Sequence, residues 1–448
     1  MTATHRYGNA YRQLAVLGLP ILVGQLGNIV VGFADNIMVG RYSTEALASA
    51  SFVNNMFNTA IFLLLGFTYG LTPLAGALFG NGRLAETGAL TRQAVKINIA
   101  FAAAVTAAMG IVYFNLDRMG QPAELMPIIK PYYLLYLAGL IPVAVFNVLA
   151  QWSYAINNTS LPMWLILGAN VFNIGGNYLL IYGNFGAPEL GLFGAGLATL
   201  AARIGCMAVM IAVMLRARRY APYREGFLHR PARRGDNRLL WRTSMPVALQ
   251  MGFESGSFTA AAVMTGWLGA VPLAAFQIIV IIGTLGFCIY YSIGSAITIK
   301  VANAAGTGDT GGMRHMAWAG YHIMLAMMTV SSVTFVVAGP AMMHAFTTDP
   351  AVLALAGTLL FPLVLYQLGD ATQITFANAL RGTSRVMPML WIAFVCYVLV
   401  GIPATYLLGI AGGMGVYGII LSFSASLFLA GALFLIFFLR ATRRAQNV

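Results

Sequence analysis

Charged residues are scarce in this chain: 8% of its 448 positions are Asp, Glu, Lys or Arg, while 59% are hydrophobic. Ordinary soluble domains carry about 25% charged residues to cover their surface, so a soluble globule of this length is excluded. Histidine is scarce too, with five copies, none clearly beside an acid within an apolar stretch. No apolar segment holds His-Glu-x-x-His, paired Asp with Gly, or a Ser nucleophile with a His base, and the chain is expected not to be an enzyme. Cysteine is limited to Cys206, Cys288 and Cys396, each inside an apolar run without CxxC or Cys/His spacing. Disulfide, zinc and redox roles therefore lack support, and the three read as small buried hydrophobes.

What the chain has in abundance is apolar length, with a mean hydropathy of +0.80, the composition of a polytopic membrane protein. Residues 1–12 are short, polar and basic. The run that follows is too long for a signal-peptide core and lacks a small-residue cleavage pattern, so it reads as a retained first helix. A window of about 20 residues finds apolar segments near 14–38, 47–78, 93–114, 128–154, 161–183, 191–215, 239–266, 273–299, 316–340, 352–380, 386–410 and 414–439. Twelve crossings put both termini on one side. Arg6, Arg12, Arg83, Arg92, Lys96, the connection up to Arg242, Lys300, Arg314, Arg381, Arg385 and Arg440 to Arg444 fall on that side, against Arg41, Arg118 and Lys130 opposite. By the positive-inside rule the termini are cytoplasmic and the membrane is an inner or plasma membrane. The net charge of +13 follows from that topology and from attraction to anionic lipid, and implies no nucleic-acid partner.

Residues 217–238 form the one long polar connection and read as a solvated cytoplasmic linker between an amino lobe, 1–216, and a carboxy lobe, 239–448. The lobes match at a constant offset of about 226: Pro20 with Pro246, Gly40 with Gly266, Leu47-Ala48 with Leu273-Ala274, Thr72 with Thr298, and Pro162-Met163 with Pro388-Met389. Six segments per lobe make the two halves parallel repeats, the architecture of alternating-access transporters with a cavity between lobes. The expected fold is all-α, with twelve transmembrane helices in two six-helix lobes around a central cavity.

Of the twelve acids, nine fall in loops or at segment ends, leaving Asp35, Glu254 and Asp370 inside segments. An acid at membrane depth is costly and marks a functional site. Asp35 lies about five residues, roughly 8 Å, from the outer end of its helix. Asn173 and Asn177, spaced i,i+4 on one helix face, and Thr199 come to similar depth. A carboxylate, two amide oxygens and a hydroxyl suit a hard monovalent cation, though each polar residue also has a plain role as interhelical glue. Glu254 has Gln250 one turn before it, and Asp370 has Tyr366 one turn before and Gln373 three residues after. Nearer mid-depth, these two acids can take a proton, hold a cation or pair with a cationic drug, with a structural ion pair as the plain alternative. Arg203 is the only basic residue placed well inside a segment, either a partner for one of these acids or bonded to backbone carbonyls.

Taken together, Pro20, Asp35-Asn-Ile-Met-Val-Gly40, Asn173-x-x-x-Asn177-Tyr-Leu-Leu-Ile-Tyr-Gly183, Gly194-Ala-Gly196-x-Ala-Thr199, Glu254, and Tyr366-Gln367-x-x-Asp370 followed by Arg381-Gly382 resemble the MATE (multidrug and toxic compound extrusion) transporters of the bacterial NorM-like branch. The resemblance implies export of cationic amphiphiles coupled to inward Na+ or H+, in a bacterial inner membrane. It implies an amino-lobe cation site of Asp35, Asn173, Asn177 and Thr199, which would hold Na+ if the coupling is to Na+. A carboxy-lobe site of Glu254, Asp370 and Tyr366 is implied for ion or substrate. Where the family often has His-Gln and a nearby Asn, this chain reads Phe276-Gln277-Ile278-Ile279-Val280-Ile281, which thins the polar groups of that site and leaves Gln277 as its further candidate. No cofactor is expected, and a monomer is. A lipid-linked oligosaccharide flippase, the rival reading, would want a strongly cationic lumen where the segments offer only Arg203. A major-facilitator carrier would want Gly-x-x-x-Asp-Arg where the chain has Gly80-Asn-Gly-Arg83-Leu-Ala-Glu86.

Overall fold

The computed structural model describes residues 3–119, 122–231, 233 and 235–444, with side chains described from Tyr7 to Arg443. Among these residues every regular element is helical. Hydrocarbon imposes this, because each backbone N–H and C=O must find its partner within its own segment. In chain order the helices are α1 (Ala3–Tyr42), α2 (Thr44–Thr68), α3 (Leu71–Gly80), α4 (Leu84–Tyr113), α5 (Met126–Ala155), α6 (Ser160–Tyr182), α7 (Gly191–Arg216) and the short α8 (Ala221–His229). The second series is α9 (Asp236–Trp267), α10 (Ala270–Gly306), α11 (Thr310–His344), α12 (Pro350–Thr358), α13 (Leu360–Gly382), α14 (Met387–Ala393), α15 (Ile402–Thr405) and α16 (Gly415–Arg444). Between α14 and α16 the chain is π-helical at Phe394–Gly401 and Tyr406–Ala411, on either side of Pro403, which supplies no N–H to the ladder.

All twelve expected segments fall on these helices. Ten described spans are long and apolar enough to cross a membrane, and an eleventh counts if α12 and α13, bent by 46°, form one. The remaining segment, α9, stays below that apolarity because Gln250, Glu254 and several Ser and Thr residues dilute it.

By internal contacts the chain divides into two units, one of residues 1–22 with 249–448 and the other of residues 23–248. Both boundaries fall two residues after a proline inside a helix, Pro20 in α1 and Pro246 in α9, and they are separated by the repeat offset. Each lobe's first helix therefore belongs to one unit before its proline and to the other after it, a division finer than a cut at the connection between lobes.

In the unit of residues 23–248 the core is aromatic: Phe57 packs edge-on against Tyr133 at 4.7 Å and Phe67 stacks on Phe101 at 4.1 Å. Small residues let backbones meet elsewhere, since a Cβ at Gly194 of α7 would press on the Leu180 carbonyl of α6. The connection expected to be solvated is partly built into this unit. Gly88 of α4 lies against the Tyr223 carbonyl, and Gly226 of α8 against the Ala85 carbonyl. Tyr220 and Tyr223 are buried beside Trp152, and burial pushes the Tyr223 phenol up to about 12. Glu86 pairs with Arg83, Arg230 and Arg233, while Arg92 donates to the carbonyls of Leu228 and Arg230. Ala232 and Arg234 of the same connection lie outside the described residues. In the other unit, α13 and α16 meet through Gly369 and Gly431, and Phe276, Phe335 and Phe423 fill the core.

Candidate functional site

Three helices of the unit of residues 23–248 bring the four amino-lobe candidates into one hydrogen-bonded chain. The face of α1 that carries Gly24 and Gly27 packs on α6 residues Met163, Ile166, Leu167 and Asn170, and Gly176 of α6 accepts Ala198 of α7 at close range. These small residues draw α1, α6 and α7 together where the polar side chains sit. Asn177 Nδ2 donates to Asp35 Oδ1 at 2.6 Å and to Asn173 Oδ1 at 3.3 Å, and Asn173 Nδ2 donates to Thr199 Oγ1 at 3.1 Å. Asn173 and Asn177 are buried, and Asn177 Oδ1 is a buried acceptor without a hydrogen-bond partner among the described residues. Just beyond, Tyr182 donates to the Met38 carbonyl at 2.7 Å and fastens the end of α6 to α1.

Two neighbours of this chain were not singled out from sequence. Asn170 places a third amide on α6, one turn before Asn173, with its Nδ2 buried and without a hydrogen-bond partner among the described residues; the i, i+3, i+7 spacing of Asn170, Asn173 and Asn177 carries that signal. Tyr132 and Tyr136 of α5, with hydroxyls 3.3 Å apart, are the second. Arg203 of α7 joins them, its guanidinium carbon 4.8 Å over the Tyr136 ring, within electrostatic reach of Asp35 and Tyr132.

In the other unit, Asp370 is 2% exposed, Gln250 is 3% exposed, and Gln250 Nε2 donates to Glu254 Oε2 at 2.9 Å. Glu254, Asp370 and Tyr366 lie within electrostatic reach of one another and of Tyr397. Asp370 Oδ2, Gln373 Oε1, Tyr397 Oη and both polar atoms of Gln367 are buried without partners among the described residues, leaving acceptors and donors free for water or a ligand. Arg381, counted above with the basic residues of the terminal side, is buried: it donates to Asn378 Oδ1 at 3.1 Å and to Gln250 Oε1 at 3.4 Å. Gln250 therefore relays between a buried cation and Glu254. Gln277, unlike the buried Asp370 and Gln250, is exposed, while its neighbours Phe276 and Ile278 are turned into the core.

Two repeated sets of membrane-crossing helices, one holding Asp35 and the other Glu254 and Asp370 among amides and hydroxyls, define a polytopic membrane transporter. The MatE family profile matches residues 20–179 and 246–407, two stretches in the register of the internal repeat. The chain belongs to the MatE family. It is 31% identical over 449 residues to a probable multidrug resistance protein NorM of Geobacillus kaustophilus, covering 100% of this chain and 98% of that one. It is 29% identical over 415 residues to the multidrug resistance protein MdtK of Pectobacterium atrosepticum, covering 90% and 89%. The fold is similar to that of the Vibrio cholerae MATE transporter VcmN in its bent form, with a TM-score of 0.88 at 16% identity over 99% of both chains.

Proposed function

We propose that this chain exports cationic and amphiphilic drugs by antiport against an inward coupling cation, Na+ or H+, across a bacterial inner membrane with both termini in the cytoplasm. The observation that carries the reading is the bond from Asn177 to Asp35, which ties α1 to α6 through the one acid in the interior of its unit. A cation that reaches Asp35 from outside neutralises the carboxylate and weakens this charge-assisted bond. The arrangement in which α1 is held to α6 then loses stability relative to any in which it is released. A ligand shifts such an equilibrium only through its different affinity for the two states, and a bond made in one state and broken in the other supplies that difference. In the unit of residues 1–22 and 249–448, Glu254 and Asp370 supply the negative charge, and Tyr366 the aromatic face, that attract a cationic amphiphile. The relatives named for multidrug resistance support the substrate class. The test is efflux of a fluorescent cationic dye from proteoliposomes under a Na+ gradient at fixed pH, and then under a pH gradient without Na+. Asp35→Asn, folded by gel filtration, is expected to abolish gradient-driven efflux; undiminished efflux by this variant would overturn the role given to Asp35.

A further inference from the structure

Gln250 of α9 stands between two groups of opposite hydrogen-bonding character. Arg381 Nη2 donates to its Oε1 at 3.4 Å, and its own Nε2 donates to Glu254 Oε2 at 2.9 Å. A guanidinium offers only N–H donors and an ionised carboxylate only acceptors, so the amide has one orientation in which both bonds form. Turned over, it would set N–H against N–H at Arg381 and oxygen against oxygen at Glu254. Gln250 and Arg381 are both buried, where a lost partner is not replaced cheaply by water.

The arginine is itself anchored. Its Nη1 donates to Asn378 Oδ1 at 3.1 Å, one turn earlier on α13, and the same oxygen accepts from Thr298 Oγ1 of α10 at 3.0 Å. Asn378 Nδ2 donates to the Ile374 carbonyl at 2.8 Å, which turns its oxygen toward these two donors. A continuous chain of bonds thus runs from α10 through α13 to α9 and ends on Glu254.

The amino lobe makes the first link of this chain without an arginine. Thr72, the repeat partner of Thr298, donates to Gln151 Oε1 at 2.6 Å, and Gln151 falls one residue from the repeat register of Asn378. At the repeat offset, Gly24, Asn28 and Ala155 stand in place of Gln250, Glu254 and Arg381. The threonine–amide clamp is therefore common to both lobes, whereas its extension to an acid belongs to the carboxy lobe.

We propose that Arg381 is a positioning residue of the carboxy-lobe site: by holding Gln250 Oε1 it aims the amide N–H at Glu254 and keeps that carboxylate in one orientation for a cationic substrate. This deepens the export reading, on which it rests for the nature of the ligand. Arg381 exerts two effects of opposite sign. Its charge repels a cation near Glu254, so losing the charge alone tightens binding. The orientation it imposes prepares the carboxylate, so losing that weakens binding. Because the amide stands between guanidinium and carboxylate, orientation is expected to dominate.

Equilibrium binding of a fluorescent cationic dye to the purified protein, read by anisotropy, tests this. Arg381→Gln, whose amide can donate or accept and so lets Gln250 turn over, is expected to raise Kd about tenfold, the scale of a hydrogen bond to a charged group. Gln250→Leu is expected to raise it equally, and the double variant no further, because the two changes break one chain. Arg381→Lys, whose ammonium is also donor-only, is expected to restore binding close to that of the wild type. An unchanged or lowered Kd in Arg381→Gln would overturn the proposal, as would additive effects of Arg381→Gln and Gln250→Leu, or dye binding indifferent to Glu254→Gln. If Arg381→Gln does not fold, Arg381→Met, which offers no donor, takes its place in the same comparison. Failure of the antiport reading is a separate result, seen as intact dye binding without gradient-driven efflux.

Discussion

Asn177 on α6 holds Asp35 on α1 at 2.6 Å, joining residues 142 positions apart in the chain. Whatever neutralises Asp35 acts first on this bond, and so on the attachment of α1 to α6.

Asn177→Ala removes that donor and the link to Asn173 together. Dye efflux in proteoliposomes is expected to fall by about tenfold, the equivalent of a lost hydrogen bond to a charged group, with expression and gel-filtration profile retained. Efflux at the wild-type rate would mean that the bond is dispensable for coupling.

Of the four carboxy-lobe candidates, Glu254, Tyr366, Asp370 and Gln277, two differ sharply in burial: Asp370 and Gln277. Asp370, 2% exposed among unpartnered buried polar atoms, is expected to lose most dye efflux as Asp370→Asn. Gln277→Ala, on an exposed face, is expected to change thermal stability by less than about 0.5 kcal/mol and to leave efflux unaltered. Equal loss in both variants would contradict the separation.

Gly88→Ala places a methyl group against the Tyr223 carbonyl, whereas Gly110→Ala, on the same helix α4, meets nothing within 4 Å. The first is expected to destabilise by about 1–3 kcal/mol through overpacking, read as a lower melting temperature in detergent. The second is expected to be neutral or to stabilise by up to about 1 kcal/mol, since alanine is the better helix former. A neutral Gly88→Ala would argue that α8 does not dock on α4 in solution.

Glu86 faces Arg233 at 2.6 Å and Arg230 at 3.5 Å, with its side chain 16% exposed. Glu86→Gln removes its share of each pair, worth about 1 kcal/mol or less apiece at a surface, and is expected to speed tryptic cleavage after Arg233, since Pro231 protects the bond after Arg230. High salt should speed cleavage of the wild type in the same way and change the variant little. Identical digestion of the two proteins at low salt would remove the clamp.

Much of this was legible in the sequence because the solvent dictates it. Scarce charge and long apolar runs specify membrane helices whatever they pack against, and all twelve runs became helix. The repeat register, read from Pro20 and Pro246, returned as the boundaries of the two contact units after residues 22 and 248. Helical spacing alone put Asn173 and Asn177 on one face, and their depth alone suggested Asp35 and Thr199 as companions. Spacing names a face, however, and not the neighbour that face meets. Only the packing of helices far apart in sequence decided that Asn177 donates to Asp35, that Arg381 is buried against Gln250, that Gln277 is exposed beside a buried Phe276, and that the Arg203 guanidinium rests over the Tyr136 ring. The same packing folded part of an apparently solvated connection onto α4 through Gly88 and Gly226. An amide can donate or accept and an arginine can reach several partners, so their roles are fixed by which groups the tertiary structure leaves within hydrogen-bonding distance.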